Sequence, residues 1–227
     1  GLTLHSAIHP VFRVWRDAAG AIERIEPGVA GQRDDEAVHK ARLESFIHFE
    51  IDRCGDAARL AELRANISRV LGDVRAAVED WPRMIETARQ TIKSVAARES
   101  STDATEARAF LEWMVADHFT FLGQRDYELV QQGTDYGLRA VPGSGLGIMR
   151  DELRASADGA AAASEVTVLP PAAAEIISSA SPIFLTKANS RATVHRPSYL
   201  DYVGVKRFDA AGNVVGEHRF LGLYSHT

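Results

Sequence analysis

One cysteine, Cys54, stands in the whole sequence, so no disulfide can form within the chain, and the expected compartment is the reducing cytoplasm. No stretch approaches the roughly 20 apolar residues needed to cross a bilayer as a helix. No positively charged start runs into an apolar signal core, so neither a membrane partner nor a secretory route is expected. Basic excess is missing as well. A formal net charge of -5 argues against general nucleic-acid binding, because a protein that grips a phosphate backbone presents a strongly basic face. The chain begins without Met and stops at Ser225-His226-Thr227, just after a strand-like run, and both ends read as cuts in something larger.

What is present suffices for a sizeable core: 45% of the 227 residues are hydrophobic. Leu2 to Trp15, LTLHSAIHPVFRVW, is rich in residues that favour strands, and Asp17-Ala18-Ala19-Gly20 supplies a turn before Ala21 to Ile25, which predicts a hairpin. FIHFEI alternates with its apolar set on the odd-numbered face, so Glu44 to Arg53 is expected to be a strand. Asp56 then caps a helix whose Leu60, Leu63, Ile67, Val70, Leu71, Val74, Val78 and Trp81 recur at steps of three and four, a stripe expected to bury against a sheet. Pro82 is expected to interrupt that helix, with Asp80 capping a second one to about Arg98. ESSTD, Glu99 to Asp103, reads as a linker.

The second lobe opens with a helix from Ala104 to Asp117 in which Ala107, Leu111, Met114 and Val115 share a face. Strand-like segments follow at Phe119 to Val130, Leu138 to Val141 and Ile183 to Thr186. Ala155 to Ser164 is expected to be a mobile loop, and Pro170-Pro171 to open a short helix. Tyr202 to Phe208 and Val214 to Tyr224 flank Asp209-Ala210-Ala211-Gly212-Asn213, an antiparallel hairpin. The class is α+β: two lobes of antiparallel sheet with packed helices.

Catalytic signatures are scarce. Gly143, Gly145 and Gly147 in PGSGLGIMR lack both the dinucleotide spacing and the Gly-Lys-Ser/Thr ending of a phosphate loop, and read as a structural turn. His5 and His9 lie in strand context with Ser6 in place of the glutamate of a zinc-binding helix, so no metal is assigned. Asp117 and His118 are adjacent and point apart. Cys54 beside Arg53 reads as a partly buried thiol, and Trp113, Phe119, Phe121 and Tyr127 as core. No Ser, His and Asp set forms a nucleophile elbow. What stands out is TKANSRATVHRP, Thr186 to Pro197, which carries no carboxylate, and the nearby Lys206 and Arg207. Lys187, Asn189, Arg191, His195, Arg196, Lys206 and Arg207 are the candidate contacts. Either they form a solvated surface paired with acids such as Asp201 or Glu217, or they recognise an anion: an effector carboxylate, a phosphate or an acidic patch on another subunit.

HPVFRVWRDAAG, ESFIHFEID, FLEWMVADHFTFLGQRDYEL, PGSGLGIMR and LTKANSRATVHRPSYLDYVGVKRFDAAGNVVGEHRFLGLYS resemble the N-terminal region of the large bacterial NAD-specific glutamate dehydrogenases, over nearly the whole chain. In that family ACT-like and PAS-like regulatory domains precede a distant catalytic domain. The resemblance implies that residues 1–81 are the later part of an ACT-like domain whose first strand and helix lie upstream of Gly1. It further implies that 82–101 are a connecting helix and linker and that 102–227 are a PAS-like or ACT-like α+β domain. It implies a parent enzyme that converts L-glutamate to 2-oxoglutarate and ammonia with NAD, and a segment here with no cofactor and no catalytic residue of its own. The expected partners are the rest of the chain, other subunits of a homo-oligomer and an amino-acid effector. The alternative is a self-contained sensor domain for an amino acid or nucleotide.

Overall fold

A computed structural model describes residues 2–27, 41–97, 102–132, 135–153, 166–169 and 179–225. It divides into two compact units, Gly1–Leu63 and Arg64–Thr227. The fold is mixed α+β with antiparallel sheets, as the alternating and helical periodicities predict.

The first unit holds β1 (Leu4–Ile8), β2 (Val11–Arg16), β3 (Ile22–Pro27), β4 (Ala41–Ser45) and β5 (His48–Ile51). β2 pairs antiparallel with β3 across the turn Asp17–Gly20, where Gly20 takes φ 82, a left-handed geometry that glycine adopts without steric cost. β4 lies on the other side of β2, giving the order β3-β2-β4, while β1 pairs with β5 in a separate two-stranded sheet. The single strand expected over Glu44 to Arg53 is therefore two. The chain changes sheets at Phe46, whose N–H donates to Pro10 O at 3.0 Å and whose ring meets Phe12 edge-on at 5.2 Å. Ile47, Phe49 and Ile51, the apolar set of the expected strand, are exposed. Val14 and Ala41 are the buried apolar residues of this unit among those described.

Helix α1 (Ala57–Ala96) begins where Asp56 Oδ1 accepts the N–H of Ala58 at 2.9 Å, the expected cap. It then runs straight through Pro82. Proline removes the donor that would serve Val78 C=O, but Val78 is 68% exposed, so the missing bond falls on the open side of the helix rather than in the core. Buried Ala76, Ala77 and Asp80 before the proline and Met84, Ile85 and Ala88 after it hold the axis on both sides. The buried face of α1 is this one, alanines followed by Met84 and Ile85, not the expected apolar stripe. Leu60, Ile67, Leu71, Val78 and Trp81 are exposed, and Leu63, Val70 and Val74 are half-buried.

Helix α2 (Thr102–Trp113) ends in a wide turn, Met114–His118, in which Asp117 takes φ 68 and the chain reverses into a strand. Ala107, Leu111 and Met114 are buried and Val115 half-buried, the shared face expected of them. Thr102 and Asp103 of the proposed linker belong to α2, and residues 99–101 lie outside the described residues, as do the loop expected at 155–164 and most of the short helix expected after Pro171.

The second unit is built on β6 (Phe119–Gln132), β7 (Asp135–Ala140), β8 (Leu146–Gly147), β9 (Thr167–Val168), β10 (Ile183–Arg191), β11 (Tyr199–Phe208) and β12 (Val214–Tyr224). Their order is β10-β11-β12-β6-β7-β9, with β8 paired to β6. The first and last long strands thus lie side by side at the centre, each extended outward by an antiparallel neighbour. Met84, Leu111, Met114, Phe121, Val203, Val205 and Phe220 form one apolar cluster with α1 and α2. Ala77, Leu122, Tyr127, Leu200, Leu221 and Leu223 belong to a second. Alternation explains the division, since Val203 and Val205 share a face opposite to Leu200 and Tyr202.

Candidate functional site

The basic run divides between two kinds of structure. Thr186 to Arg191 extend β10 beyond the Thr186 at which the strand was expected to end, and only residues 192–198 form a connecting loop to β11. That loop is closed tightly: Ala192 N–H donates to Ser198 O and Ser198 N–H to Arg196 O, both at 2.8 Å. His195 takes φ 75 inside it. A left-handed conformation at a side chain of this size persists only where the surroundings impose it. Thr193 Oγ1 supplies part of that constraint by donating to Asp73 Oδ2 on α1 at 2.7 Å.

The consequence is a cavity of about 410 Å3 lined by Lys187, Arg196, Pro197, Ser198, Asp201 and Tyr224. Lys187 and Asp201 face each other across the β10–β11 register, and Lys187 Nζ donates to Asp201 Oδ1. Asp201 Oδ2 accepts the N–H of Tyr224 at 3.2 Å, and the C=O of Tyr224 accepts Arg196 Nη2 at 2.7 Å. Tyr224 is thus the junction: its main chain joins the acid and the cation, while its ring packs on Phe110, Trp113 and Phe119. Burial, with the Asp201 charge nearby, pushes the Tyr224 phenol up to about 12, so it stays protonated at neutral pH. The next residue is pinned too, since Ser225 N–H donates to His118 O at 2.9 Å and Ser225 Oγ to Asp117 O at 3.1 Å. The two non-glycine residues of positive φ among those described, Asp117 and His195, therefore both brace the strand end that lines the cavity.

Of the candidate contacts, Lys187 and Arg196 are brought together here. His195 stands beside Arg196 in the loop, and Asn189 is exposed on β10. Arg191 lies over the Tyr199 ring at 5.0 Å, a cation–π contact on the surface. Lys206 is buried and donates to Ser179 O at 2.6 Å and Ser179 Oγ at 3.0 Å, and its burial lowers its pKa. Arg207 reaches Tyr127 O at 3.4 Å. Asp201 does pair with the run, whereas Glu217 is engaged by Tyr202 Oη at 2.6 Å and Arg219 Nε at 2.7 Å. Tyr224 carried no signal that the sequence could expose, because β12 reaches the cavity only through strand pairing, and Ser198 lies just past the basic run in the same loop.

The glycine segment has a structural explanation. Gly147 N–H and Arg150 Nε converge on Asp80 Oδ2 at 2.8 and 2.7 Å, so the anion this turn holds is a carboxylate of its own chain. Asp80, expected to cap a second helix, instead staples α1 to the turn. The Arg150 guanidinium, helped by the Gly147 N–H, holds the Asp80 carboxyl below the usual carboxylate range against the opposing effect of burial. Gly147 takes φ 60, and a Cβ there would lie 2.2 Å from Leu122 O, which leaves no room for a side chain. His118 Nδ1 meets Trp113 O at 3.1 Å and its ring stacks on Trp113 at 4.8 Å, a packing role. His5 Nε2 meets Asp52 Oδ1 at 2.7 Å, and no group of three His, Cys, Asp or Glu that could hold a metal occurs among the described residues.

Known proteins match this chain along its full length. Residues 1–67 fit the family described as glutamate dehydrogenase, ACT1 domain. The NAD-specific glutamate dehydrogenase of Halomonas elongata is 34% identical over 236 residues, covering 100% of this chain. Along its whole length the chain is similar to the N-terminal region of NAD-specific glutamate dehydrogenases. The protein of that name from Pseudomonas aeruginosa is 31% identical over 99% of the chain, and that from Mycobacterium tuberculosis 26% over 99%. The chain spans 14%, 13% and 12% of the length of these glutamate dehydrogenases, respectively. No helix of the described residues is long and apolar enough to cross a membrane.

Proposed function

We propose that this chain is a non-catalytic regulatory and assembly segment of an NAD-dependent glutamate dehydrogenase, and that its cavity is an effector site. The observation that carries the reading is the convergence of Lys187 and Arg196 on Asp201 and Tyr224 around a volume of about 410 Å3, within the range typical of small-molecule sites. The family match supports the parent. In it, a catalytic domain elsewhere in the longer chain oxidises L-glutamate to 2-oxoglutarate and ammonia with NAD as hydride acceptor, as a cytoplasmic homo-oligomer. The strand order of the second unit supports a PAS-like rather than an ACT-like character. An ACT domain opens β-α-β, and here β6 turns directly into its antiparallel partner β7. An effector in the cavity would act on Tyr224 and so on the strand end braced by the Asp117 turn, and a ligand that prefers one arrangement of that strand end shifts its population.

Thermal unfolding of the chain across L-amino acids, NAD(H), ATP and 2-oxoglutarate at millimolar concentration tests this. A ligand present at about 100 times its dissociation constant adds about 2.7 kcal/mol to the folded state. A saturable rise in Tm with one ligand is expected, together with no glutamate oxidation by the segment itself. A flat panel from a cooperatively unfolding chain would sink the effector reading and leave assembly alone.

A further inference from the structure

The charges around the cavity are held with very different firmness. Asp201 is 3% exposed, yet its cationic partner among the described residues is Lys187, whose side chain is 60% exposed and reaches the carboxylate from a flexible stem. Taking that cation away would leave a buried carboxylate uncompensated, which is costly, whereas exchanging it for another ammonium is not. The lysine itself loses little by swinging back into water, because an ion pair with one partner so exposed contributes little. Arg196 is the reverse. Its Nη2 is fixed on Tyr224 O in a closed loop, and no carboxylate among the described residues pairs with it. A guanidinium has five N–H donors, so an oriented fork is left for an anion.

Building on the effector reading above, we infer that the cavity binds an α-amino acid as its zwitterion, by ammonium exchange. The ligand's ammonium takes the place of Lys187 on Asp201, its carboxylate is held by Arg196 and the Ser198 hydroxyl, and its side chain lies against Pro197 and Tyr224. Lys187 is the occupant of the ammonium position in the free protein. A simple carboxylate leaves Lys187 in place and gains Arg196 alone. A simple amine performs the exchange and gains nothing from Arg196. Only a molecule with both charges on one carbon uses both ends of the cavity.

The test is isothermal titration of the chain with the L-amino acid giving the largest Tm shift, beside its deaminated acid and its decarboxylated amine. For L-leucine these are 4-methylpentanoate and 3-methylbutylamine. The amino acid is expected to bind at least about tenfold more tightly than either, a difference of about 1.4 kcal/mol. Lys187→Met removes the competitor and leaves Asp201 uncompensated until a ligand ammonium arrives, so it lowers the Tm of the free chain, tightens the amino acid and the amine, and leaves the acid unchanged. Arg196→Gln weakens the amino acid and the acid but not the amine. A carboxylate that binds as well as the amino acid, or a Lys187→Met chain that binds the amino acid more weakly, overturns the exchange while leaving an effector site standing. A response to nucleotides alone does the same. No binding by any ligand overturns both readings.

Discussion

The first unit spreads its strands over two small sheets and, among its described residues, buries Val14 and Ala41, while Leu4, Ile8, Phe49 and Ile51 on the β1–β5 pair stay in solvent. The second places its long sheet between two apolar clusters and completely buries Phe121, Phe220, Met84 and Leu111. Both have well-paired strands. The difference is that hydrogen bonding closes a sheet at its edges but not over its faces, and a sheet gains most of its stability from a layer packed across it. In the second unit α1 and α2 supply that layer.

The largest effect expected from breaking this contrast is Phe220→Ala. The ring is 0% exposed and meets Phe121 edge-on at 5.8 Å, so its loss leaves a cavity between the sheet and the helices. The cost is about 3–5 kcal/mol in urea unfolding, by analogy with other buried aromatic truncations. Asp80→Asn comes next, at about 3 kcal/mol, because Arg150 and Gly147 N–H lose the charge that satisfies them. The pH dependence follows from the same pair. The folded Asp80 carboxyl is depressed below its unfolded value, so its contribution is fully present above about pH 4 and is lost as pH falls through the folded pKa. Acid unfolding of Asp80→Asn should lack that part of the slope. An unchanged acid limb would show that the staple contributes nothing to the second unit.

Val14→Ala sharpens the contrast from the other side. Val14 is 1% exposed in a unit with little else buried, and its truncation is expected to cost about 1–2 kcal/mol. Trp15, the next residue, reports on the same sheet by fluorescence once Trp81 and Trp113 are replaced by Phe. Loss of that signal ahead of the second unit's transition would identify the first unit as the separately melting part.

Local patterns carried much of this fold in the sequence. The β11–β12 hairpin, the cap at Asp56 and the buried face of α2 each depend on residues within a few positions of one another. What the sequence hid was set by distant partners. Phe46 breaks a clean alternation because Pro10 O takes its N–H, and Pro82 stays inside α1 because buried turns flank it. The cavity was half legible. Lys187 and Arg196 stood out as charges, with Asp201 named as an acid that could pair with them, but Tyr224 reaches them only through the register of β11 and β12.

The smallest expected effect concerns the plainest sequence signal of all, the stripe from Leu60 to Trp81. Periodicity reveals which residues share a helix face; it does not say which face a sheet accepts. Close packing on α1 selects Ala76, Ala77 and Ala88, and the carboxylates beside them are buried because Thr193, Gly147 and Arg150 satisfy them. Of the stripe, Leu60, Ile67, Leu71, Val78 and Trp81 are left outside, Val78 at 68% exposure. Val78→Asp should therefore change the unfolding free energy by no more than about 0.5 kcal/mol, the usual range for surface substitutions. A loss of several kcal/mol would mean that the stripe is covered in solution, and would move the boundary between packed and open surface on which the contrast of the two units rests.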